Sequence, residues 1–336
     1  MVSDCSMCLN PQYIRSKAVD AKPGARQLVR CGKCLECLRE NQREWIYRLE
    51  KEQQTSKHSL FMTFTYSPAN VPLIDCETRE IKSYADWCKT KHFKPVEYSI
   101  NPKDAQNYWK RVREKLNSLP LKHYTCMEYG DKFDRPHMHS AIFYDDADPS
   151  FVESVLSDKW QKGYMEFEPL CDARIAYVTK YLKKGDDEAA PTEFSLPPQS
   201  RKSHGFGLKG FLIDEQRHVD YYNACSLYAE ITGDYADFPK EKIPHVTTSD
   251  GCKLAVPRYF RRKLFEHEDF LTEKIIEDED RRFRKQKDLE ARTLQDLRVK
   301  GYHWDSSEVW PSMAPNFDFD RIKRDVYTAN LRRKGK

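Results

Sequence analysis

The sequence predicts an α+β fold in which helices pack on an antiparallel sheet. Between residues 59 and 184, short runs rich in aromatic and β-favouring residues alternate with amphipathic segments in the order β-α-β-β-α-β-α. Two of the strand-like runs follow one another with only a polar loop between them, which is typical of an antiparallel hairpin. This order is that of the split β-α-β, or ferredoxin-like, folds.

The first predicted elements follow from local residue patterns. Residues 36–57 are good helix formers with a single apolar stripe, and residues 59–66 read as a strand that ends at a Ser-Pro turn. Residues 67–100 give no clear pattern. Pro102 suits the first position of a helix, and its apolar residues recur at spacings of three and four.

The remaining elements complete the predicted sheet. Residues 123–129 and 137–144 form the hairpin, and Pro149 begins a short helix that runs to Trp160. Residues 163–168 form a further strand, and Asp172 N-caps a helix that runs to Lys184. A Pro- and Ser-rich connector follows.

Composition limits the functional classes. The chain has 336 residues with 57 basic and 53 acidic side chains, so its formal charge of +4 is too small to indicate nucleic-acid binding except through local patches. The mean hydropathy is −0.83, and no apolar run approaches the ~20 residues that span a bilayer. The first residues resemble no secretory signal, which predicts a protein that works in a cytoplasm.

We expect three regions along the chain. Residues 1–57 form a cysteine-rich module and a helix, and residues 58–210 form the α+β domain. Residues 211–336 form a helical C-terminal extension of unknown role, in which 281–300 reads as a polar, solvated helix.

The cysteines of the first region have the spacing of a zinc site. A Cys-x2-Cys pair is separated by 22 residues from a second one, and zinc bound by Cys5, Cys8, Cys31 and Cys34 is the preferred interpretation. Cys37 is an alternative ligand. An iron–sulfur cluster is the rival interpretation, although the further Cys-Pro of a bacterial ferredoxin run is absent.

The second candidate site lies on the predicted hairpin. Side chains alternate along a strand, so His137 and His139 project from the same face and can bind one metal ion. Glu128, nine positions before His137, would complete a set of two histidines and one carboxylate. Alternatively, the histidines are ordinary surface or core residues and Glu128 is a surface acid near a loop.

The third candidate site lies on the last predicted helix. Tyr177 and Tyr181 are four residues apart and would share one flank of that helix. Lys180 and Lys184 stand beside them, where they can contact phosphates or lower the pKa of a phenol. Simple amphipathic packing is the alternative for the tyrosine pair.

Taken together, these motifs resemble those of the HUH endonucleases, a family of rolling-circle replication initiators and relaxases. Residues 61–66 (FMTFTY) resemble the first strand motif, residues 135–139 (RPHMH) the His-hydrophobe-His motif, and residues 177–181 (YVTKY) the two-tyrosine catalytic motif. The amino-terminal cysteines and residues 128–130 (EYG) resemble the gokushovirus branch of the Microviridae, which includes the chlamydial microviruses. The resemblance extends from Cys5 to about Gly210.

The resemblance implies an activity and the residues that carry it. Mg²⁺ or Mn²⁺ on His137, His139 and Glu128 would polarise a scissile phosphate. Tyr177 or Tyr181 would then attack single-stranded origin DNA, forming a 5′-phosphotyrosine and freeing a 3′-OH for the polymerase of a bacterial host.

Other residues and partners have roles only by the same resemblance. Lys180 and Lys184 would steady phosphates, and Arg135 would contact the DNA backbone beside the metal. The implied partners are origin DNA and the host helicase and polymerase in the host cytoplasm, without a membrane.

Two other functional classes remain open from the sequence. One is a zinc-containing nucleic-acid-binding regulator in which the histidines and tyrosines only pack. The other is a metal-dependent hydrolase that uses the same His/His/Glu set on a different substrate. Nicking of single-stranded DNA with a covalent protein adduct separates the three classes, because a binder cleaves nothing and a hydrolase leaves no adduct.

Overall fold

The structure is a computed structural model that describes most of the first 265 residues. The described residues are 8, 12–15, 26–90, 95–117, 119–183, 190–232, 245–249, 251 and 253–265, with single positions at 284, 288, 292 and 295. The predicted polar helix at 281–300 therefore lies outside the described residues, apart from those single positions. Within the described part of the chain, no helix is long and apolar enough to cross a membrane.

The chain forms two compact units, one of residues 41–216 and one of residues 1–40 with 217–336. In chain order the described elements are β1 (Gln12–Arg15), β2 (Arg26–Val29), α1 (Leu35–Thr55), β3 (His58–Thr65), β4 (Pro72–Asp75), β5 (Ile81–Ser83), α2 (Tyr84–Lys89), β6 (Val96–Tyr98), α3 (Pro102–Leu116), β7 (Leu121–Tyr129), β8 (Pro136–Tyr144), α4 (Pro149–Lys159), β9 (Met165–Pro169), α5 (Asp172–Val178), β10 (Gln199–Lys202), α6 (Leu208–Thr232), β11 (His245–Thr247), β12 (Lys253–Ala255) and α7 (Arg258–Leu264). Short 3-10 helices occupy Pro68–Asn70 and Lys180–Lys183.

The unit of residues 41–216 is built on a five-stranded sheet with the order β10-β7-β8-β3-β9. Every pair in this sheet is antiparallel. β3 and β7 are separated in space by β8 and joined through α3, which is the arrangement of a split β-α-β unit. The predicted α+β fold with helices on an antiparallel sheet is therefore confirmed.

One face of this sheet is covered by α3 and α4. Alternate residues of β3 and β8, among them Phe64 and Met138, are completely buried against the apolar stripe of α3. Polar atoms in this layer are satisfied, since Trp109 Nε1 donates to Thr125 Oγ1 at 2.9 Å. Each large apolar side chain buried here contributes roughly 1.5–3 kcal/mol to folding.

The opposite face packs against α1 and α5. Trp45 and Leu49 of α1 and Ile175 of α5 are buried against the alternate set of strand residues, which includes Phe61 and Phe143. His137 and His139 have the same parity as Phe143 on β8 and therefore belong to this face.

The last helix of the predicted core is shorter than expected. We predicted a helix from Asp172 to Lys184, but α5 ends at Val178 and a 3-10 helix follows. The Thr179 hydroxyl donates to the carbonyl oxygens of Ile175 (3.1 Å) and Ala176 (3.0 Å). Because a side chain takes these acceptors, the backbone does not continue the α-helical ladder.

Two regions without a predicted element are ordered. Residues 72–98 contain a small antiparallel sheet of order β5-β4-β6 with α2, inserted between β3 and α3. The turn after β4 is fixed by Asp75, whose Oδ1 accepts from the backbone N–H groups of Glu77 (2.8 Å) and Thr78 (2.7 Å). Within the predicted connector, β10 adds an edge strand to the main sheet.

The other unit contains two short strand pairs, β1-β2 and β11-β12, and α7. Helices α1 and α6 each extend across the boundary between the two units. The helical C-terminal extension that we predicted is represented in the described residues by α6 and α7, together with an unpredicted hairpin.

Candidate metal and tyrosine site

The pairing register of β7 and β8 brings the predicted carboxylate and histidines together. Glu128 lies directly opposite His137, and Cys126 lies opposite His139. The Nε2 atoms of His137 and His139 are 2.9 and 3.0 Å from Oε1 of Glu128. Three potential metal ligands therefore meet within 4.8 Å of one another.

Both imidazole rings are oriented through their other nitrogen. His137 Nδ1 lies 3.2 Å from the carbonyl oxygen of Arg135, and His139 Nδ1 lies 2.8 Å from the Thr63 hydroxyl. A neutral His137 therefore carries its proton on Nδ1 and offers the Nε2 lone pair to the site. Phe61 stacks on His139 with a centroid distance of 5.3 Å and limits its rotation.

The electrostatics of Glu128 suit a cation. Its side chain is completely buried, and burial alone would raise its pKa. Hydrogen bonds from His137, His139 and Tyr177 outweigh burial and lower the pKa below its ordinary value, so the group is a buried carboxylate anion.

Two buried atoms of this cluster make no hydrogen bond to any described residue, namely Glu128 Oε2 and His139 Nε2. Nε2 of His139 is close to Oε1 of Glu128 but lies outside hydrogen-bonding geometry. Burial also lowers the pKa of His139, which favours the neutral, metal-ligating form. The donor set and its unsatisfied atoms fit a divalent cation with open positions for substrate.

A tyrosine hydroxyl lies at the same carboxylate. The Tyr177 hydroxyl donates to Oε1 of Glu128 at 2.6 Å, and its ring meets that of His139 edge to face at 5.0 Å. Nζ of Lys180 lies 3.8 Å from the centroid of the Tyr177 ring and 3.4 Å from Oε2 of Glu128. A phenol, a carboxylate and an ammonium group thus surround one point.

The remaining predicted site residues are only partly described. Tyr181 belongs to the 3-10 helix, but its side chain lies outside the described residues, as does Lys184. The guanidinium of Arg135 donates to the backbone carbonyl of Tyr66 at 2.6 Å, which ties the β7–β8 loop to the end of β3.

The second group of potential ligands is a cluster of four cysteines. Sγ of Cys31 lies 4.0 Å from Sγ of Cys37, and Sγ of Cys34 lies 4.0 Å from Sγ of Cys8. Zinc–sulfur bonds of about 2.3 Å in a tetrahedron place the sulfurs about 3.8 Å apart. The described cluster contains the alternative ligand Cys37, while Cys5 lies outside the described residues.

The surroundings of the four sulfurs also suit a cation. Backbone N–H groups of Cys31 and Cys34 donate to sulfur at 3.2 Å, and Gly32 adopts a positive φ of 70° that allows the tight turn between the ligands. Contacts with Cys34 and Cys8, together with burial, raise the pKa of the Cys37 thiol. A bound dication would reverse that shift, so the thiols fit a metal centre.

Thr63 is a site residue that the sequence analysis did not single out. It lies opposite His139 in the β3-β8 register, with its side chain on the same face. Alternation of Phe and Thr along β3 was a usable signal, since the polar residues mark the face on which the histidines lie.

The fold and this cluster define a class of protein: an antiparallel α+β domain with a two-histidine, one-carboxylate group beside a tyrosine. Residues 59–186 match a family model of replication-associated proteins, the ORF2 family. This segment contains Glu128, both histidines and Tyr177. The amino-terminal cysteine cluster lies outside the match.

Two relatives are replication-associated proteins of bacterial viruses. The chain is 25% identical over 251 residues to replication-associated protein ORF2 of Spiroplasma virus 4, covering 70% of this chain and 67% of the relative. It is 25% identical over 193 residues to replication-associated protein VP4 of Bdellovibrio phage phiMH2K, covering 53% of this chain and 56% of the relative. No solved structure matches the chain significantly.

Proposed function

We propose that this protein is an HUH-type endonuclease and strand transferase that initiates rolling-circle replication of a circular single-stranded DNA phage genome. The observation that carries the proposal is the 2.6 Å hydrogen bond between the Tyr177 hydroxyl and Glu128, the carboxylate that both histidines approach. A nucleophile thereby lies at a potential metal centre. The similarity to phage replication-associated proteins supports the biological setting.

Glu128, His137 and His139 would hold Mg²⁺ or Mn²⁺ at this site. The metal supplies Lewis-acid polarisation of the scissile phosphodiester when it is bound. Arg135 and Thr63 keep the two rings oriented through Nδ1, so that the ligand atoms are in position before the substrate arrives.

Tyr177 is the proposed first nucleophile. Its oxygen attacks phosphorus, the bond from phosphorus to the 3′ oxygen breaks, and the 3′ oxygen leaves with a proton as a hydroxyl. The phenol proton faces Glu128 in this structure. Lys180, 3.8 Å from the ring centroid, stabilises the negative charge that develops on the phenol oxygen and on the phosphate.

Tyr181 is proposed as the second nucleophile. Attack on the regenerated origin by a second phenol, with release of the first phosphotyrosine to the free 3′-OH, conserves the phosphodiester energy and needs no ATP. Lys184 would contact the DNA phosphates. These roles rest on the resemblance of the YVTKY segment to a two-tyrosine motif.

We further propose that Cys8, Cys31, Cys34 and Cys37 hold a structural zinc ion. The protein would act in the cytoplasm of the bacterial host with the host helicase and polymerase. The physiological catalytic metal and the placement within the Microviridae follow from the resemblance alone.

The experiment that tests the proposed activity uses the full chain and single-stranded circular phage DNA with Mn²⁺. We expect a linear product and a protein band that keeps the DNA in denaturing detergent. Cleavage without a covalent adduct would instead indicate a metal-dependent hydrolase. Binding without cleavage would indicate a regulator.

A further inference from the structure

A groove of about 650 Å³ lies between the small sheet of residues 72–98 and the loop that joins β7 and β8. The function proposed above assigns it no role. Three aromatic side chains that line it are open to solvent: Tyr84 is 52% exposed, Tyr98 is 36% exposed, and Phe133 is 78% exposed.

The aromatic residues are concentrated at this groove. In residues 41–216, the described part of the chain exposes five aromatic side chains, and three of them line this one groove. Grouped exposed aromatics mark binding surfaces, because scattered ones would not form a continuous apolar patch. The other two are Phe151 and Tyr164.

The groove is continuous with the candidate metal site. Arg135 lines the groove, and its carbonyl oxygen lies 3.2 Å from Nδ1 of His137. Its guanidinium is fixed on the Tyr66 carbonyl, so the loop holds both the groove wall and a metal ligand. A strand with a phosphate at the metal site therefore passes the groove with its neighbouring nucleotides.

The charges of the groove favour a neutral occupant. Glu97 and Asp134 line it with Arg135, so carboxylates outnumber guanidinium groups among these three side chains. Phosphates are poorly accommodated beside two carboxylates. Oε2 of Glu97 is buried and has no hydrogen-bond partner among the described residues, and it is an acceptor of the kind that N–H groups of bases satisfy.

We propose that this groove binds unpaired bases of the single strand next to the scissile phosphate, by stacking on Phe133 and Tyr98. The inference rests on the proposed function and adds to it the residues that select unpaired DNA. Stacking on aromatic side chains tolerates any base and requires that the base be free of a duplex. The inserted sheet would thus restrict the enzyme to single-stranded substrate.

The test is a binding cycle that separates bases from phosphates. The full-length wild type, Phe133→Ala and the control Phe151→Ala are titrated, with a metal chelator present, against a fluorescein-labelled oligothymidylate and an abasic phosphodiester chain of the same length. Fluorescence anisotropy gives the affinities. Phe133 is exposed, so its truncation leaves the core intact.

We expect Phe133→Ala to weaken binding of the oligothymidylate by about 5- to 100-fold and to leave binding of the abasic chain unchanged. Phe151→Ala should bind both chains as the wild type does. Equal loss for both chains, or wild-type affinity of Phe133→Ala for the oligothymidylate, would overturn the proposal; the second result would leave the groove to a protein partner. Because no cleavage is measured, failure of the nicking chemistry would not change this result.

Discussion

Glu128 concentrates the chemistry of the site in one side chain. It is completely buried, it remains an anion because three donors surround it, and its Oε2 lies near the Lys180 ammonium. A buried anion of this kind needs positive charge nearby, since desolvation otherwise neutralises it. The residue therefore serves both as the proposed metal ligand and as the acceptor that orients Tyr177.

Replacing Glu128 with glutamine tests this assignment. Glu128→Gln keeps the shape but removes the charge, and we expect Mn²⁺-dependent nicking to fall by about 100-fold or more. Binding of single-stranded DNA should persist, because it draws on many phosphate contacts. Nicking rates across a Mn²⁺ titration provide the measurement.

Glu114→Gln, at an exposed position of α3, is the matched control and should nick as the wild type does. A wild-type rate for Glu128→Gln at every Mn²⁺ concentration would mean that the third ligand is another residue.

The cysteine cluster makes a separate prediction at the residue scale. Purified protein should contain about one zinc ion per chain, and Cys34→Ser should lose it, because three thiolates hold the ion more weakly than four. Cys88→Ser, an exposed cysteine outside the cluster, should retain the metal. Metal analysis by mass spectrometry gives the stoichiometry, and an iron–sulfur absorption band in place of zinc would refute the assignment.

At the scale of elements, the sequence predicts the β7–β8 hairpin well but not its register. Alternation along residues 137–144 identifies the face of the histidines, and the polar loop identifies the turn. The pairing of Glu128 with His137 depends on how the loop closes, which in this structure includes the hydrogen bond from Gly130 N–H to the carbonyl of Arg135 at 3.0 Å. Local patterns carry no such information.

The elements that the sequence analysis missed share a physical cause. β4, β5 and β6 have only three or four residues each, too few to show alternation. β10 (QSRK) is polar because it is an edge strand, and a polar edge looks like a loop. The early end of α5 depends on one threonine hydroxyl, which a helical periodicity does not reveal.

Packing between α1 and the start of α6 makes an element-scale prediction. A Cβ on Gly210 would lie 2.3 Å from the backbone oxygen of Lys51. Alanine usually stabilises a helix by about 1 kcal/mol over glycine, but here the steric overlap should dominate, and Gly210→Ala should lower the free energy of unfolding by about 1–3 kcal/mol.

Urea unfolding gives this free energy, with Lys209→Ala at the neighbouring exposed position as the control. A Gly210→Ala protein as stable as the wild type would show that the two helices do not approach so closely.

His123 makes the stability of the sheet edge depend on pH. Burial, with a smaller effect of the Arg113 charge, lowers the pKa of His123 to about 3 in the folded state, against 6.5 as its ordinary value. Because the folded pKa is lowered, the neutral ring contributes stability above pH 6.5 that is lost as the pH falls towards 3. From about pH 7 to about pH 5 this loss is about 2 kcal/mol.

Comparison of variants isolates the contribution of His123. The loss of unfolding free energy between the two pH values should be smaller in His123→Gln by this amount and unchanged in His204→Gln, an exposed histidine. Urea unfolding at each pH measures it. An equal pH dependence in the wild type and His123→Gln would contradict the buried, neutral ring.

At the scale of the whole molecule, the two potential metal centres belong to different compact units. The Glu128, His137 and His139 group lies within residues 41–216, and the cysteine cluster lies in the unit of residues 1–40 and 217–336. The similarity to the replication-associated family model covers only the first of these centres. We therefore assign the chemistry to the sheet and a structural role to the cysteines.

The central claim is that Tyr177 and Tyr181 form the covalent bond with DNA, and mapping of the adduct tests it most directly. The wild type, Tyr177→Phe, Tyr181→Phe and the double variant are incubated with single-stranded circular phage DNA and Mn²⁺, and the linked peptide is identified by mass spectrometry after protease and nuclease digestion. We expect the first adduct on Tyr177, reduced adduct formation in each single variant, and none in the double variant, which should still bind DNA because phenylalanine preserves the packing. A double variant that still becomes covalently linked to the 5′ end would contradict the mechanism.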